Sequence, residues 1–357
     1  MPRNTVAKIN LEALRHNYRL ACERAGGAQA MAVVKADGYG HGIAAVTQAL
    51  ATEAGCFAVA CLEEALAIRA QGLTHPVVLL QGVHARKDLA VCLQEGFEPV
   101  LHSQSQIDWL MADAVRPMIW LKVNTGMNRL GFSPGEFAAV MASLRPMQGI
   151  VKGLMTHFAC ADDTASDATQ LQTNVFRDIA GAYPDCVRSV GNSAAHFRDN
   201  QALFEWSRPG IMLYGASPML GASGSELGLR PVMKLESELI AVRTLAAGES
   251  VGYGESWTAD KPTPMGIVAI GYGDGYPRHA GTGTPAWVGG RRIRLIGRVS
   301  MDMLAVDLSD VPTAQVGDRV ELWGDHVGVD EVAACAGTIG YELLTGVTAR
   351  VPRLYSE

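Results

Sequence analysis

The sequence predicts an α/β protein in which a parallel strand–helix unit is followed by a mostly antiparallel β unit. Two observations carry this. Over the first two-thirds, short apolar runs alternate with amphipathic stretches, the signature of buried parallel strands and their crossover helices. After about Gly228 the helices give way to short β-rich runs separated by turn signals such as Ala247-Gly248-Glu249 and Val316-Gly317-Asp318. With 357 residues the chain exceeds a typical single domain. The expected division is therefore 1–228 and 229–357, at a Gly/Ser-containing polar stretch.

The elements follow in order. Strands are expected at 31–34, 57–60, 77–80, 118–123, 151–155 and 187–190, where apolar runs are short and uninterrupted. Helices are expected at 11–25, 43–54, 62–70, 137–144 and 169–180, with Gly72, Gly96, Pro134 and Gly149 punctuating the joints. A doubly wound sheet and an eight-fold barrel both satisfy this pattern. The second unit is expected to hold strands at 233–244, 265–270, 286–288, 292–296, 304–307 and 319–322. A last helix is expected at 329–336.

Composition excludes several classes. Hydrophobic residues make up 48% and charged residues 18%, which supports a packed core rather than disorder. A net charge of -6 does not suit a nucleic-acid partner. The first residues lack the apolar stretch of a signal peptide, and no apolar run reaches bilayer length. Seven scattered cysteines, none in a Cys-x-x-Cys pair, point to a reduced cytoplasmic protein without a cysteine-built metal site.

Chemistry concentrates at strand ends. Lys35 closes the apolar run Met31-Ala-Val-Val-Lys35 and enters the Gly-rich stretch Ala36-Asp-Gly-Tyr39-Gly-His41-Gly. Burial disfavours the charged form of an amine, and a neutral amine attacks a carbonyl to form a Schiff base. A snorkelling lysine satisfies the same local pattern. Lys122, Arg129, His157, Asn192 and Ser193 also follow apolar runs, so one barrel mouth would gather them. Clustered cations there favour a phosphate or a carboxylate. Arg208, flanked by apolar residues and followed by Pro209-Gly210, reads as buried and in need of an acceptor. A structural carboxylate and a cofactor ring nitrogen both meet that need. Ser193 at a helix start suits a phosphate or an ordinary cap. Tyr253 lies between two glycines, and both it and the Gly271-Tyr272-Gly stretch read as hairpin turns.

Four motifs together resemble the alanine racemase family, fold type III pyridoxal-phosphate enzymes. They are Val34-Lys35-Ala-Asp-Gly-Tyr39-Gly-His-Gly, Leu121-Lys122-Val-Asn-Thr-Gly-Met-Asn-Arg129-Leu-Gly, Arg208-Pro-Gly210-Ile211-Met-Leu-Tyr-Gly and Gly252-Tyr253-Gly. The likeness covers nearly the whole chain and is nearest the shorter, catabolic-type bacterial form. It implies a (β/α)8 TIM-like barrel plus a β domain, pyridoxal 5'-phosphate as cofactor, alanine as substrate, and a homodimer with shared sites.

The resemblance also implies roles. Lys35 would bind the cofactor and act as base on one face, with Tyr253 of the partner subunit on the other. Arg208 would face the pyridine nitrogen. Tyr39, Ser193, Gly210, Ile211 and Tyr341 would hold the phosphate, and His157 and Asn192 would line the cofactor. Arg129 and the Met301 backbone would bind the substrate carboxylate. Lys122 resembles a lysine often carbamylated, which positions Arg129. Asp162, Tyr272, Arg278, Arg298 and Asp302 would form the entrance. Gly38 and Asn124 stand where the family often has Ala and Asp. A fold type III decarboxylase, a pyridoxal-phosphate carrier and a cofactor-free Schiff-base aldolase are the rival readings.

Overall fold

The computed structural model describes residues 3–147, 149–198 and 203–357; residues 1–2, 148 and 199–202, all within the expected first unit, lie outside the described residues. The first unit is a barrel. Its strands are Gln29–Ala30 continued by Ala32–Val33, then Phe57–Val59, Val77–Leu79, Phe97–Leu101, Ile119–Lys122, Val151–Met155, Val187–Ser189 and Trp206–Ser207. The parallel sheet begins on Gln29–Ala30 and ends on Ala32–Val33, two pieces of one strand flanking Met31. Met31 N–H donates to the Ser207 carbonyl at 2.9 Å on one side, and Ala32 N–H to the Cys56 carbonyl at 3.0 Å on the other. That closure decides for a barrel over a doubly wound sheet.

Packing inside the barrel is tight. Trp120 is fully buried, and a Cβ on Gly153 of the next strand would meet its ring at 2.4 Å, so only glycine fits. The Trp120 indole N–H donates to Glu98 at 2.8 Å, and Lys152 Nζ lies 2.5 Å from the other Glu98 oxygen. A buried carboxylate is thus doubly satisfied. Trp120 and Lys122, two residues apart on one strand, share a face, so the strand runs from this plug toward the mouth.

The second sheet has eight strands and is mostly antiparallel. Met233–Leu245, Thr263–Val268, Pro285–Val288, Arg291–Ile296, Leu304–Asp307 and Arg319–Trp323 lie at or within a few residues of the expected places, and the helix Val329–Cys335 follows. Its remaining two strands are corrections. Val6–Asn10, inside the expected first unit, pairs antiparallel with Met233–Leu245 and parallel with Arg353–Ser356. Ala7 and Ile9 are fully buried while Lys8 and Asn10 are not, an alternation too short to stand out in sequence.

Turns also differ from expectation. Tyr253 sits at a hairpin tip, between Ser250–Val251 and Trp257–Thr258, as read. Gly271-Tyr272-Gly is not a hairpin but a single 3-10 turn, Tyr272–Asp274, folded over a buried carboxylate. Asp274 accepts the Gly271 N–H at 3.0 Å and a guanidinium N–H of Arg3 at 2.9 Å. Among the described residues no helix is long and apolar enough to cross a membrane.

Two buried histidines should make the fold acid-sensitive. Burial lowers His41 and His196 each to about 4. Unfolded histidine takes its proton near 6.5, so between these values the unfolded chain binds more protons than the native one. Their contribution to stability is therefore complete above 6.5 and falls as pH drops toward 4. Urea midpoints measured at about pH 7 and about pH 5 should fall, and the fall should shrink in His196→Gln.

Candidate active site

A cavity of about 280 Å³ opens at the barrel mouth. All strands except Phe97–Leu101 bring residues to it from their C-terminal ends or just beyond, as in other α/β barrels. Lys35 and Tyr39 follow the first strand, Lys122 and Arg129 the fifth, His157 the sixth, Asn192 and Ser193 the seventh, and Arg208, Gly210 and Ile211 the eighth. Tyr341 arrives from the second unit, on the helix Gly340–Gly346. The four cations Lys35, Lys122, Arg129 and Arg208 line one cavity, with no carboxylate among its lining residues.

Lys35 is half-buried. Burial lowers its amine below the ordinary lysine value, and Arg129 and Arg208 push it further the same way. Burial, then Arg208, Arg129 and Lys35, lower Lys122 to about 8. After Lys35 the backbone turns left-handed for four residues. Ala36 and Asp37 have φ 53, Gly38 φ 60 and Tyr39 φ 52. Each non-glycine there costs about 1–2 kcal/mol, so the turn must be held by its surroundings. Asp37 Oδ1 accepts the Ile43 N–H at 2.7 Å, and Glu64 accepts the Ala36 N–H at 2.7 Å. His41 Nδ1 lies 3.0 Å from the Gly38 carbonyl and 2.9 Å from that of Tyr39.

Arg208 is buried, and its acceptors are not acids. One terminal nitrogen donates to Ser189 Oγ at 2.6 Å. The other donates to the Thr156 carbonyl at 2.6 Å and the Val190 carbonyl at 3.2 Å, and lies 3.2 Å from His157 Nδ1. The structural carboxylate considered above is absent from this set. Burial lowers Arg208 to about 9, which leaves it a cation at neutral pH. Burial, together with Arg208 and the two lysines, holds His157 well below its ordinary value and hence neutral.

Hydroxyl groups meet beside this arginine. Ser193 Oγ accepts the Gly210 N–H at 2.8 Å and the Met212 N–H at 3.4 Å instead of capping its helix, and Asn192 Oδ1 accepts the Ala195 N–H in its place. A Cβ on Gly210 would meet the Tyr39 hydroxyl at 2.5 Å. The Tyr39 ring stacks on Tyr214 at 4.6 Å and lies 6.2 Å from that of Tyr341. Arg129 stays exposed on a loop pinned by Asn124, whose Oδ1 accepts the Gly126 and Asn128 N–H groups at 3.2 and 3.0 Å. Asn124 also donates its amide to Asn128 at 3.0 Å, a bond an aspartate could not make.

Residues 9–218 match the family description "Alanine racemase, N-terminal domain", and residues 232–355 match "Alanine racemase, C-terminal domain". The chain belongs to the alanine racemase family. It is 66% identical to an alanine racemase of Marinobacter nauticus, over 99% of this chain and 100% of that one. Its fold superposes on the crystal structure of the biosynthetic alanine racemase of Pseudomonas aeruginosa with a TM-score of 0.96, at 49% identity and covering 99% and 100% of the two chains. The Bartonella henselae enzyme, solved with covalently bound pyridoxal phosphate, gives 0.90 at 31% identity, covering 99% of this chain and 100% of that one. The expected likeness to a catabolic-type form is not supported, since these relatives are named alanine racemase or its biosynthetic form.

Not every expected site residue reaches the cavity. Tyr253, Met301 and Asp302 lie elsewhere on the second unit; Tyr253 is 72% exposed and Met301 53%. Asp302 pairs with Arg350 at 2.7 Å. The Arg278 guanidinium lies 6.0 Å over the Tyr272 ring, and Arg298 lies against Gly254 beside Tyr253. Asp162 is near enough to Tyr341 to help burial raise that phenol. Ser189, Thr156 and Glu64 were not singled out in sequence. The first two sit at strand ends, but their side chains carry no distinguishing chemistry. Glu64 reads as an ordinary acid in a helix's first turn.

Proposed function

We propose that this cavity interconverts L-alanine and D-alanine with pyridoxal 5'-phosphate as cofactor, in a cytoplasmic homodimer. The observation that carries the reading is a half-buried, deprotonation-prone lysine among cations and hydroxyls with no lining carboxylate. Such a donor set fits a phosphate and a substrate carboxylate together. The close approach of Tyr39 to Gly210, where a side chain would intrude, fits a phosphate held by Tyr39, Ser193, Tyr341 and the backbone of Gly210 and Ile211. Seven free cysteines support the cytoplasm.

When bound, the cofactor supplies the electron sink that acidifies the substrate's Cα–H. Lys35 would hold it covalently at rest and, once the substrate amine has displaced it, its free amine would carry the proton on one face. Tyr253 of the partner subunit carries it on the other, which explains why a phenol is left exposed in one chain. Arg208, fixed by four neighbours, keeps a positive donor toward the pyridine nitrogen. His157 and Asn192 line the ring. Arg129 and the Met301 backbone of the partner subunit hold the carboxylate, and Asp302 stands at the entrance. Lys122, lowered to about 8, would in its neutral form add carbon dioxide and release a proton to solvent, and the carbamate formed would face Arg129 with a negative charge. We retain 1–228 and 229–357 as the working division, with strand Val6–Asn10 given to the second unit.

A decarboxylase is disfavoured because the group assigned to the pyridine nitrogen is an arginine with no acid beside it among the described residues. A carrier built from the barrel alone does not account for the second matched domain. Purified protein given L-alanine should bring the two enantiomers to equal amounts, and borohydride pretreatment should abolish this. The Lys122 peptide from bicarbonate buffer should carry added carbon dioxide. Unchanged L-alanine, or carbon dioxide released from it, would refute the reading.

A further inference from the structure

The left-handed turn after Lys35 is closed from within by Gly38 N–H to the Val34 carbonyl and Gly40 N–H to the Ala36 carbonyl, each at 2.9 Å, and the Ala36 N–H is held from outside the turn by one side chain. Glu64 divides its carboxylate between two chain segments. Oε1 accepts the Ala36 N–H and Oε2 the Ala60 N–H, each at 2.7 Å. Ala60 follows the neighbouring barrel strand and lines the cavity. The side chain therefore ties the first residue after Lys35 to the rim beside it. Asp37 and His41 hold the far end of the turn, not the residue joined to Lys35.

An ordinary first-turn acid serves its own helix. The bond to Ala60 fits that habit, but the bond to Ala36, 28 positions earlier, does not. Charge points the same way. Lys122, Arg129, His157, Arg208, Tyr39 and Tyr341 face the cavity with Lys35, and none of them is an acid of the Asp/Glu type. Glu64 acts on the Lys35 amine in the direction opposite to Arg129 and Arg208.

We propose that Glu64 is a positioning residue for Lys35: its carboxylate fixes the left-handed turn that aims the amine into the cavity, and sets a negative charge behind a wall lined by no Asp or Glu. The proposal rests on Lys35 being one of the two bases.

Glu64→Gln and Glu64→Asp holoenzymes test it through α-deuterium isotope effects measured from each enantiomer. In Glu64→Gln, turnover should fall about 10- to 100-fold, the scale of a lost charge-assisted hydrogen bond. The isotope effect should rise for the enantiomer whose proton Lys35 removes and fall toward unity for the other, because the Lys35 step becomes limiting. In protein stripped of cofactor, the pH midpoint for Lys35 modification by an amine-reactive ester, read by mass spectrometry, should move lower in Glu64→Gln and return in Glu64→Asp. Lost turnover with unchanged isotope effects and an unchanged midpoint would make Glu64 merely structural and overturn the proposal, as would full turnover. If wild-type protein showed no borohydride-sensitive absorbance, the assignment of Lys35 itself would fall, and this proposal with it.

Discussion

Lys35→Ala should reduce racemisation by at least about 10³-fold and remove the yellow absorbance of lysine-bound cofactor. Two losses act at once. The covalent anchor goes, and so does the proton carrier on one face. The neighbouring cations cannot substitute. Arg208 keeps its proton, Arg129 sits on an exposed loop, and Lys122 lies on a different strand. The variant should still fold, because the turn after it is held by Asp37, His41 and Glu64 rather than by the lysine side chain. Circular dichroism and thermal melting would establish that. Racemisation within tenfold of wild type, in a folded and colourless variant, would end the cofactor assignment.

Tyr253→Phe should lose about 10²-fold or more in turnover while keeping the yellow absorbance, because it removes one hydroxyl and leaves Lys35 intact. Its exposure in the single chain makes a sharper experiment. If each site takes its lysine from one subunit and its phenol from the other, mixed Lys35→Ala and Tyr253→Phe chains form hybrid dimers. One site of each hybrid carries both defects and the other carries neither. Random exchange between equal amounts should then restore about a quarter of wild-type activity from two nearly inactive proteins. No recovery after demonstrated subunit exchange would mean that the lysine and the phenol act within one chain.

Much of the barrel was legible because parallel strands buried on both faces read as plain apolar runs. Phe97–Leu101 escaped that reading. It carries Glu98 and Pro99, and only the fold reveals that Glu98 is paired with Trp120 and Lys152. Helices Lys87–Glu95 and Gln104–Met111 flank that strand and were missed with it. Gly340–Gly346 begins and ends on glycine, a poor helix former, so no helix is expected there from the sequence. Strand-end position was enough to nominate Lys35, Lys122, His157 and Ser193. It could not show that Arg208 has no acid partner among the described residues, because that depends on Ser189 and Thr156, brought from other strands. Nor could it show the grip of Glu64 on Ala36, which joins two separate strand–helix units.

The strand Val6–Asn10 has a consequence for how the molecule assembles. It leaves the ribosome before every barrel strand, yet both its neighbours, Met233–Leu245 and Arg353–Ser356, emerge only after the barrel. Folding therefore cannot finish vectorially, one unit after the other. Val6–Asn10 must wait unpaired while the whole barrel is made, and a nascent chain stalled before residue 353 would leave one of its two edges open.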